Sequence, residues 1–577
     1  LHSLEIHKAI HPEFTFCQRG LGSFRELRIS GDIFMATASA PVAGQSLLDK
    51  KMKKGPGLMG GLIFAAVLVG GLAYCGFNIV SDMGHVVVVS IWPYALLAVA
   101  LLIALGFEFV NGFHDTANAV ATVIYTHTLE PHVAVVWSGI WNLIGVLTST
   151  GTVAYSVITL LPVELILQVS SGAGFAMVFA LLIAAILWNL STWALGLPAS
   201  SSHTMVGSII GVGIANQLMQ GNNGTAGVEW DQVTKVFRVL LISPVFGFVC
   251  ALILMWLTKK LVKYPALFEA PKGEEPPPFL IRALLVLTCT GVSFGHGSND
   301  GQKGMGLIML ILIGTVPTAY ALNHAVGASQ VVDFVAVSQQ VTGILDSHSD
   351  KNAIMGDPRA DITDFIKTKK YTPTTMVALR ELVGDISHEA GLYKELKAVP
   401  AKDQQNVRND MYVASAALGI LKKQDAKHKD DHQPTLFNEQ EAKVLGNYQG
   451  KLDTATKFIP LWVKVAVALA LGMGTMIGWK RIVVTVGEKI GKDHLTYAQG
   501  ASAELIAATT IILADQFGLP VSTTHVLSSG IAGTMVANGS GLQWSTLRSI
   551  AMAWVFTLPA AALLSGSLFW VFRHFSS

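Results

Sequence analysis

Two aspartates stand where an unbroken lipid-facing helix would not tolerate them. Asp115 and Asp300 lie inside apolar stretches, each three residues after a glycine, Gly112 and Gly297. An ionised group in hydrocarbon costs about 3 kcal/mol or more, so intramembrane carboxylates bind cations, relay protons or face a wet cavity. The plain alternative is an aspartate that caps a half-helix. Recurrence favours function: residues 109–121 (FVNGFHDTANAVA) align with 294–306 (FGHGSNDGQKGMG), pairing Gly112 with Gly297 and Asp115 with Asp300 at an offset of 185. Nearby Asn111, His114, Thr116, Asn118, Asn299 and Gln302 add oxygen and nitrogen groups suited to a hard cation or a hydrogen-bonded oxyanion.

A second pair of motifs carries hydroxyls. Ser200-Ser201-Ser202-His203 and Ser522-Thr523-Thr524-His525 each follow a Gly-Leu-Pro, and the surrounding 196–211 and 518–533 align at an offset of 322. Gly-Leu-Pro ends one helix and lets another begin, which puts the hydroxyls at helix N-termini. There, free backbone N–H groups and the positive dipole end favour an anion. Simple N-capping and small-residue packing are the competing reading. His203 and His525 either orient these turns or handle protons. A hydrolase using Ser202 or His203 with Asp115 is disfavoured, because duplicated hydroxyl clusters suit a symmetric binding site better than one nucleophile. No catalytic residue and no structural metal site is assigned.

These motifs need elements that cross a membrane. Of 577 residues, 51% are apolar and only 14% charged, against about 25% charged in a soluble domain. Lys plus Arg is 40 and Asp plus Glu is 38, so charge gives no reason to expect nucleic acid as a partner. The four cysteines, Cys17, Cys75, Cys250 and Cys289, are scattered without metal-site or disulfide spacing. Residues 93–258 hold eight charged side chains, whereas 320–457 hold 35, so the first stretch reads as bilayer and the second as water.

About 11 membrane segments are expected, near 59–80, 93–126, 132–157, 173–193, 203–219, 236–258, 279–316, 458–478, 497–515, 521–540 and 547–572. The sequences at 112–115, 196–198, 295–300 and 518–520 are expected to interrupt four of them. With Lys50–Lys54 inside, one crossing per run returns Lys259, Lys260, Lys263, Lys480, Arg481 and Lys489 to the inside. On this count the two halves run in opposite directions, an all-α polytopic fold of inverted-topology repeats with broken helices and hairpins. The domain reading is an N-terminal extension at 1–58, expected to be disordered, and an extra membrane segment with its linker at 59–92. The first repeat spans 93–258, a basic cytoplasmic linker 259–281 and the start of the second repeat 282–319. A polar helical insert at 320–457, placed outside on the periplasmic face, precedes the rest of the second repeat at 458–577.

The strings GFHDTANAVATVIYT (112–126), SFGHGSNDGQKGMG (293–306), GLPASSSHT and GLPVSTTHVLSSG closely resemble the inorganic phosphate transporter family, specifically its bacterial low-affinity permeases. The likeness covers nearly all of 93–572. It implies a multi-pass protein of the bacterial inner membrane that imports inorganic phosphate with a cation through a site where the repeats meet. By motif, Ser200, Ser201, Ser202, Ser522, Thr523, Thr524, Asn299 and Gln302 would bind phosphate. Asp115, Asn118, Asp300 and Lys303 would serve the coupling ion or proton, with His114, His203 and His525 orienting or passing protons. Lys303 is a departure: it occupies the position paired with Asn118, where sodium-coupled relatives usually carry Asn. Its ammonium favours proton coupling, with phosphate carried as a neutral complex with a divalent metal such as Mg, Ca or Zn; a lysine snorkelling to the interface is the plain alternative. No permanently bound cofactor is implied. Sodium-coupled symport, or transport of sulfate or another oxyanion on the same scaffold, are the rival readings. Because phosphate near neutral pH keeps a P–OH that sulfate lacks, an aspartate acceptor at Asp115 or Asp300 would select phosphate. Membrane lipid is the expected surrounding, and the sequence leaves a homodimer open.

Overall fold

The computed structural model describes residues 57–83, 92–161, 165–166, 172–220, 227–273 and 275–576. The extension expected over 1–58 therefore lies, up to residue 56, outside the described residues. The first helix, α1 (Gly57–Asp82), precedes α2 (Trp92–Tyr125), α3 (Pro131–Thr148), α4 (Thr152–Ile158), α5 (Gly172–Ala194), α6 (Ser201–Gln220) and α7 (Trp230–Leu261). The second series opens with α8 (Phe279–Thr315) and the short α9 (Pro317–Tyr320). Five helices follow: α10 (Ala328–Ser347), α11 (Pro358–Thr368), α12 (Pro373–Tyr393), α13 (Ala401–Asp430) and α14 (Glu439–Thr456). The series resumes with α15 (Leu461–Thr475), α16 (Lys480–Glu488), α17 (Tyr497–Gln516), α18 (Thr523–Asn538) and α19 (Trp544–Ser576).

The two series pack as mirrored roles. Helix α7 lies on α18 just as α19 lies on α6, and α8 crosses α3 just as α2 crosses α15. The equivalent pairs α2 with α8 and α3 with α15 also meet each other, which puts the pseudo-twofold relation through the centre of the molecule. Glycines make the central crossings close. A Cβ at Gly112 would lie 2.2 Å from the Leu471 carbonyl oxygen, and one at Gly297 would lie 2.1 Å from that of Asn142.

That packing corrects one expectation. Helices α2 and α8 run unbroken through 112–115 and 295–300, so Gly112 and Gly297 do not open them. With no water available, a backbone N–H is best satisfied inside its own helix; the missing Cβ serves backbone contact between helices instead. The two Gly-Leu-Pro sequences do break the chain. Gly196 (φ +67°) and Gly518 (φ +62°) take the left-handed conformation that glycine adopts at least cost, and α6 and α18 begin a few residues later. The hairpins α5–α6 and α17–α18 result.

The expected 11 spans are not reproduced as 11 long helices. Among the described residues, seven helices are long and apolar enough to cross a bilayer, or eight if the pair Glu439–Thr456 and Leu461–Thr475, bent by 70°, counts as one span. The run at 132–157 is split at Gly151 (φ +89°), and α15, at 15 residues, is shorter than a span. Helices α10 to α14 build a core of their own around Leu345, Phe365, Leu379, Met411, Tyr448 and Leu452, all buried. Lys369 ties this helical group to the start of α7 through Glu229, at 2.5 Å, and Asp231.

Candidate functional site

The site is built by four elements of the two series: the middles of α2 and α8 and the N-termini of α6 and α18. Asp115 on α2 accepts hydrogen bonds from Ser201, at the start of α6, and from Thr524 Oγ1 at 2.8 Å, at the start of α18. One carboxylate thus gathers a hydroxyl from each repeat. His114 Nδ1 lies 3.0 Å from the same carboxylate and its Nε2 lies 3.0 Å from Thr192 Oγ1, which fixes the ring. The tips of the hairpins also touch directly, since Ser202 donates to the Val521 carbonyl at 2.7 Å.

Asp300 on α8 has different company. Lys303 Nζ lies 2.7 Å from its carboxylate and also donates to Ser202, while Ser201 reaches it only at 3.5 Å. Lys303 is 0% exposed, so the snorkelling alternative does not describe it. Symmetry makes the substitution plain. The bond between Asp115 and Thr524 predicts an equivalent bond between Asp300 and Ser202, and the ammonium has been inserted between those two groups. The bond between Asp115 and Ser201 likewise predicts one between Asp300 and Thr523, yet Thr523 Oγ1 is buried without a partner. A free hydroxyl at the N-terminus of α18 and a buried ammonium that donates to Ser202 at the start of α6 are donors that suit an oxyanion.

The remaining sequence candidates divide. Ser200 and Ser522 accept from the backbone N–H of His203 and His525, each at 3.2 Å, so both hydroxyls are engaged as N-caps. Asn299 holds the second Gly-Leu-Pro turn, donating to the Leu519 carbonyl at 3.0 Å and accepting from Val521 N at 3.4 Å. Gln302 bonds Asp515 at 2.6 Å and accepts from Val153 N at 2.9 Å, which ties α8 to α17 and α4. His203 and His525 face each other with ring centroids 4.4 Å apart, and His525 stacks on Trp554 at 4.1 Å. The side chain of Asn118, with that of Thr116, lies outside the described residues.

One buried group that sequence reasoning did not select joins the site, and a second lies outside it on α2. His296 stands one turn before Asp300 on α8, with Nε2 3.7 Å from that carboxylate and Nδ1 2.8 Å from Asn142 Oδ1. Asp115, His296 and Asp300 can each present one ligand atom, all within 4.8 Å of one another, the spacing of a cation site. The spacing of four between His296 and Asp300 was the available signal. Glu108, two turns before Asp115 on α2, is fully buried as well. Its place as a lone charge in an apolar run marked it.

Residues 111–565 match the model of the phosphate transporter family. The chain is similar, at 42% identity, to the low-affinity inorganic phosphate transporter PitA of Escherichia coli (strain K12), over 83% of this chain and 97% of that one. It is 40% identical to PitB of the same organism over 84% and 97%, and 27% identical to a probable low-affinity inorganic phosphate transporter of Bacillus subtilis (strain 168) over 82% and 98%. Among solved structures, a chain described as the sodium-dependent phosphate transporter aligns with a TM-score of 0.45 at 18% identity, over 83% of this chain and 99% of that one.

Proposed function

The chain belongs to the phosphate transporter family, and from that premise we propose that it imports phosphate as a neutral complex with a divalent cation, driven by proton symport. Transport of inorganic phosphate and residence in a membrane follow from the family. The coupling ion and the form of the cargo are our reading.

One observation carries it: the Lys303 ammonium, buried between Asp300 and Ser202, supplies a fixed positive charge where its pseudo-symmetric position 118 carries a neutral Asn. A sodium ion there would meet electrostatic repulsion, and at 4 Å two like charges cost about 4 kcal/mol even at an effective dielectric of 20. Phosphate gains from the same ammonium and from the hydroxyls of Ser201, Thr523 and Thr524. Asp115, His296 and Asp300 would hold the divalent cation, since carboxylates suit a hard cation and the imidazole adds affinity for a softer one. The cation would take over the carboxylates that now hold Ser201 and Thr524, and so release those hydroxyls to the phosphate oxygens. Charge balance supports the pairing: a divalent cation and a doubly charged phosphate enter together with no net charge to desolvate.

The test is uptake into proteoliposomes with sodium, pH and magnesium varied separately. Uptake is expected to persist without sodium, to collapse with a protonophore and to require the divalent cation. Strict sodium dependence would overturn proton coupling, and full uptake in chelator would overturn the metal complex. Competition by sulfate is expected to be weak, because an ionised sulfate offers no proton to a carboxylate acceptor.

A further inference from the structure

Glu108 is a buried carboxylate that the site as described does not use. It lies on α2, 0% exposed, and Asn111 Nδ2 donates to its Oε2 at 3.3 Å. The other carboxylate oxygen, Oε1, has no hydrogen-bond partner, and neither does Asn111 Oδ1. Protonation removes the unmet demand of the buried Oε1 for a donor, whereas an ionised carboxylate left so poorly solvated would be costly.

The surroundings say what that proton would control. A Cβ on residue 304 would fall 2.2 Å from Glu108 Oε1, so the carboxylate lies directly against the Gly304 backbone of α8, one residue beyond Lys303. The helices packed most heavily on α2 are α15, α8 and α5. Of the others that touch it, α3 carries His132, α6 His203, α16 Lys480, Arg481 and Glu488, α17 Glu504 and Asp515, and α18 His525. Helix α5 carries no ionisable side chain. Helix α15 carries only Lys464, which donates to the Ser149 carbonyl at 2.7 Å. Helix α8 supplies Lys303 and Asp300, the charged groups that act on Glu108. Lys303 therefore has two carboxylates within its neighbourhood and is bonded to one of them.

We propose that Glu108 is the proton carrier of the transport cycle, working through Lys303. With Glu108 protonated, as the unpartnered oxygens indicate for this conformation, the ammonium stays with Asp300 and Ser202, where it meets phosphate. After cargo leaves on the inner side, Glu108 releases its proton to water there and its carboxylate draws Lys303 out of the binding site. The empty carrier then returns with this pair neutralised, and a proton from the outer side resets it. One proton is carried for each inward passage. The idea rests on proton symport as proposed above and names the group responsible.

The experiment compares wild type with Glu108→Gln, a neutral isostere of the protonated acid, in proteoliposomes. Three quantities are read: net phosphate uptake, phosphate counterflow exchange, and internal acidification reported by a trapped pH dye. Glu108→Gln is expected to retain exchange, which uses only loaded carriers, and to lose both net uptake and phosphate-dependent acidification. Acidification at the wild-type ratio to phosphate in Glu108→Gln would overturn the role of Glu108 while leaving proton coupling in place. Absence of phosphate-dependent acidification in wild type would instead overturn proton coupling itself. Loss of exchange in a folded Glu108→Gln protein would also overturn the proposal, because the isostere should support the loaded state. If that variant is not recovered folded, Glu108→Asp decides: retained acidification supports the assignment, and retained exchange without acidification overturns it.

Discussion

The buried pair Asp300–Lys303 makes a prediction about stability that can be read without transport: removing both charges should harm the protein less than removing one. The two groups are 2.7 Å apart and each is at most 1% exposed, while Asp300 has only longer contacts to Ser201 at 3.5 Å and His296 at 3.7 Å. Asp300→Asn leaves the buried ammonium without the carboxylate 2.7 Å away, which costs about 3–5 kcal/mol at a pH low enough to keep Glu108 protonated. Lys303→Asn leaves the carboxylate, which can take up a proton, so its cost is expected to be smaller. The double variant removes the attraction and both desolvation penalties together; these nearly cancel for a buried pair, so the double should lie within about 1 kcal/mol of wild type. The coupling between the two sites is then about 2 kcal/mol at least, well above the roughly 0.3–0.5 kcal/mol scatter of independent sites. Denaturant unfolding of the purified protein in micelles, for wild type, both single variants and the double, closes the cycle. If the double variant loses the sum of the two single losses, the pair does not interact as described, and the assignment of Lys303 as the charge at the site fails with it.

Other consequences are simpler. Ser201→Ala and Thr524→Ala each remove one hydrogen bond to Asp115; with bonds to charged groups worth about 1.5–3 kcal/mol, each should raise the half-saturating phosphate concentration about tenfold or more in vesicle uptake. Asp115→Asn should abolish uptake while the protein still inserts into the membrane, because it removes the carboxylate charge that gathers a hydroxyl from each hairpin tip; wild-type flux would contradict the site. Gly297→Ala places a methyl 2.1 Å from the Asn142 carbonyl oxygen and should cost about 1–3 kcal/mol or more in the same unfolding assay. Lys369→Ala, which frees the helical insert from Glu229 and Asp231 at a partly exposed contact, should change stability by no more than about 1 kcal/mol.

The sequence made the duplication legible because its rarest local features recur: Asp after Gly within apolar residues, and hydroxyl clusters after Gly-Leu-Pro. Gly-Leu-Pro was read correctly as a helix break, since proline removes a donor and glycine at positive φ reverses the chain. Gly112 and Gly297 were misread because glycine also serves the opposite purpose, letting two intact helices touch backbone to backbone, and one sequence does not distinguish the two uses. Gln302 and Asn299 have the donors and acceptors a ligand site needs, but Asp515 and the 519–521 turn reach them first. Those partners lie more than 200 residues away, beyond any local pattern. His296 was within reach, being one helical turn from Asp300 on the same face.

The duplicated scaffold also explains why a single lysine matters so much. Two equivalent half-sites, each an aspartate with hydroxyls from both hairpins, would bind two similar ions. Replacing one hydroxyl-to-carboxylate bond with Lys303 makes the halves unlike, so that Asp115 keeps two hydroxyls while Asp300 shares its charge with an ammonium. A cation then has Asp115 and His296 as its less contested ligands, and an anion has Lys303 and the unpartnered Thr523. For the metal–phosphate cargo proposed above, this asymmetry would set the cation at Asp115 and the anion at Lys303 and Thr523. Exchanging Asn118 and Lys303 between the repeats should therefore preserve the charge of the site while reversing that order. Uptake that survives the exchange would favour a site set by net charge alone; loss of uptake with normal stability would favour one set by geometry, the outcome expected here.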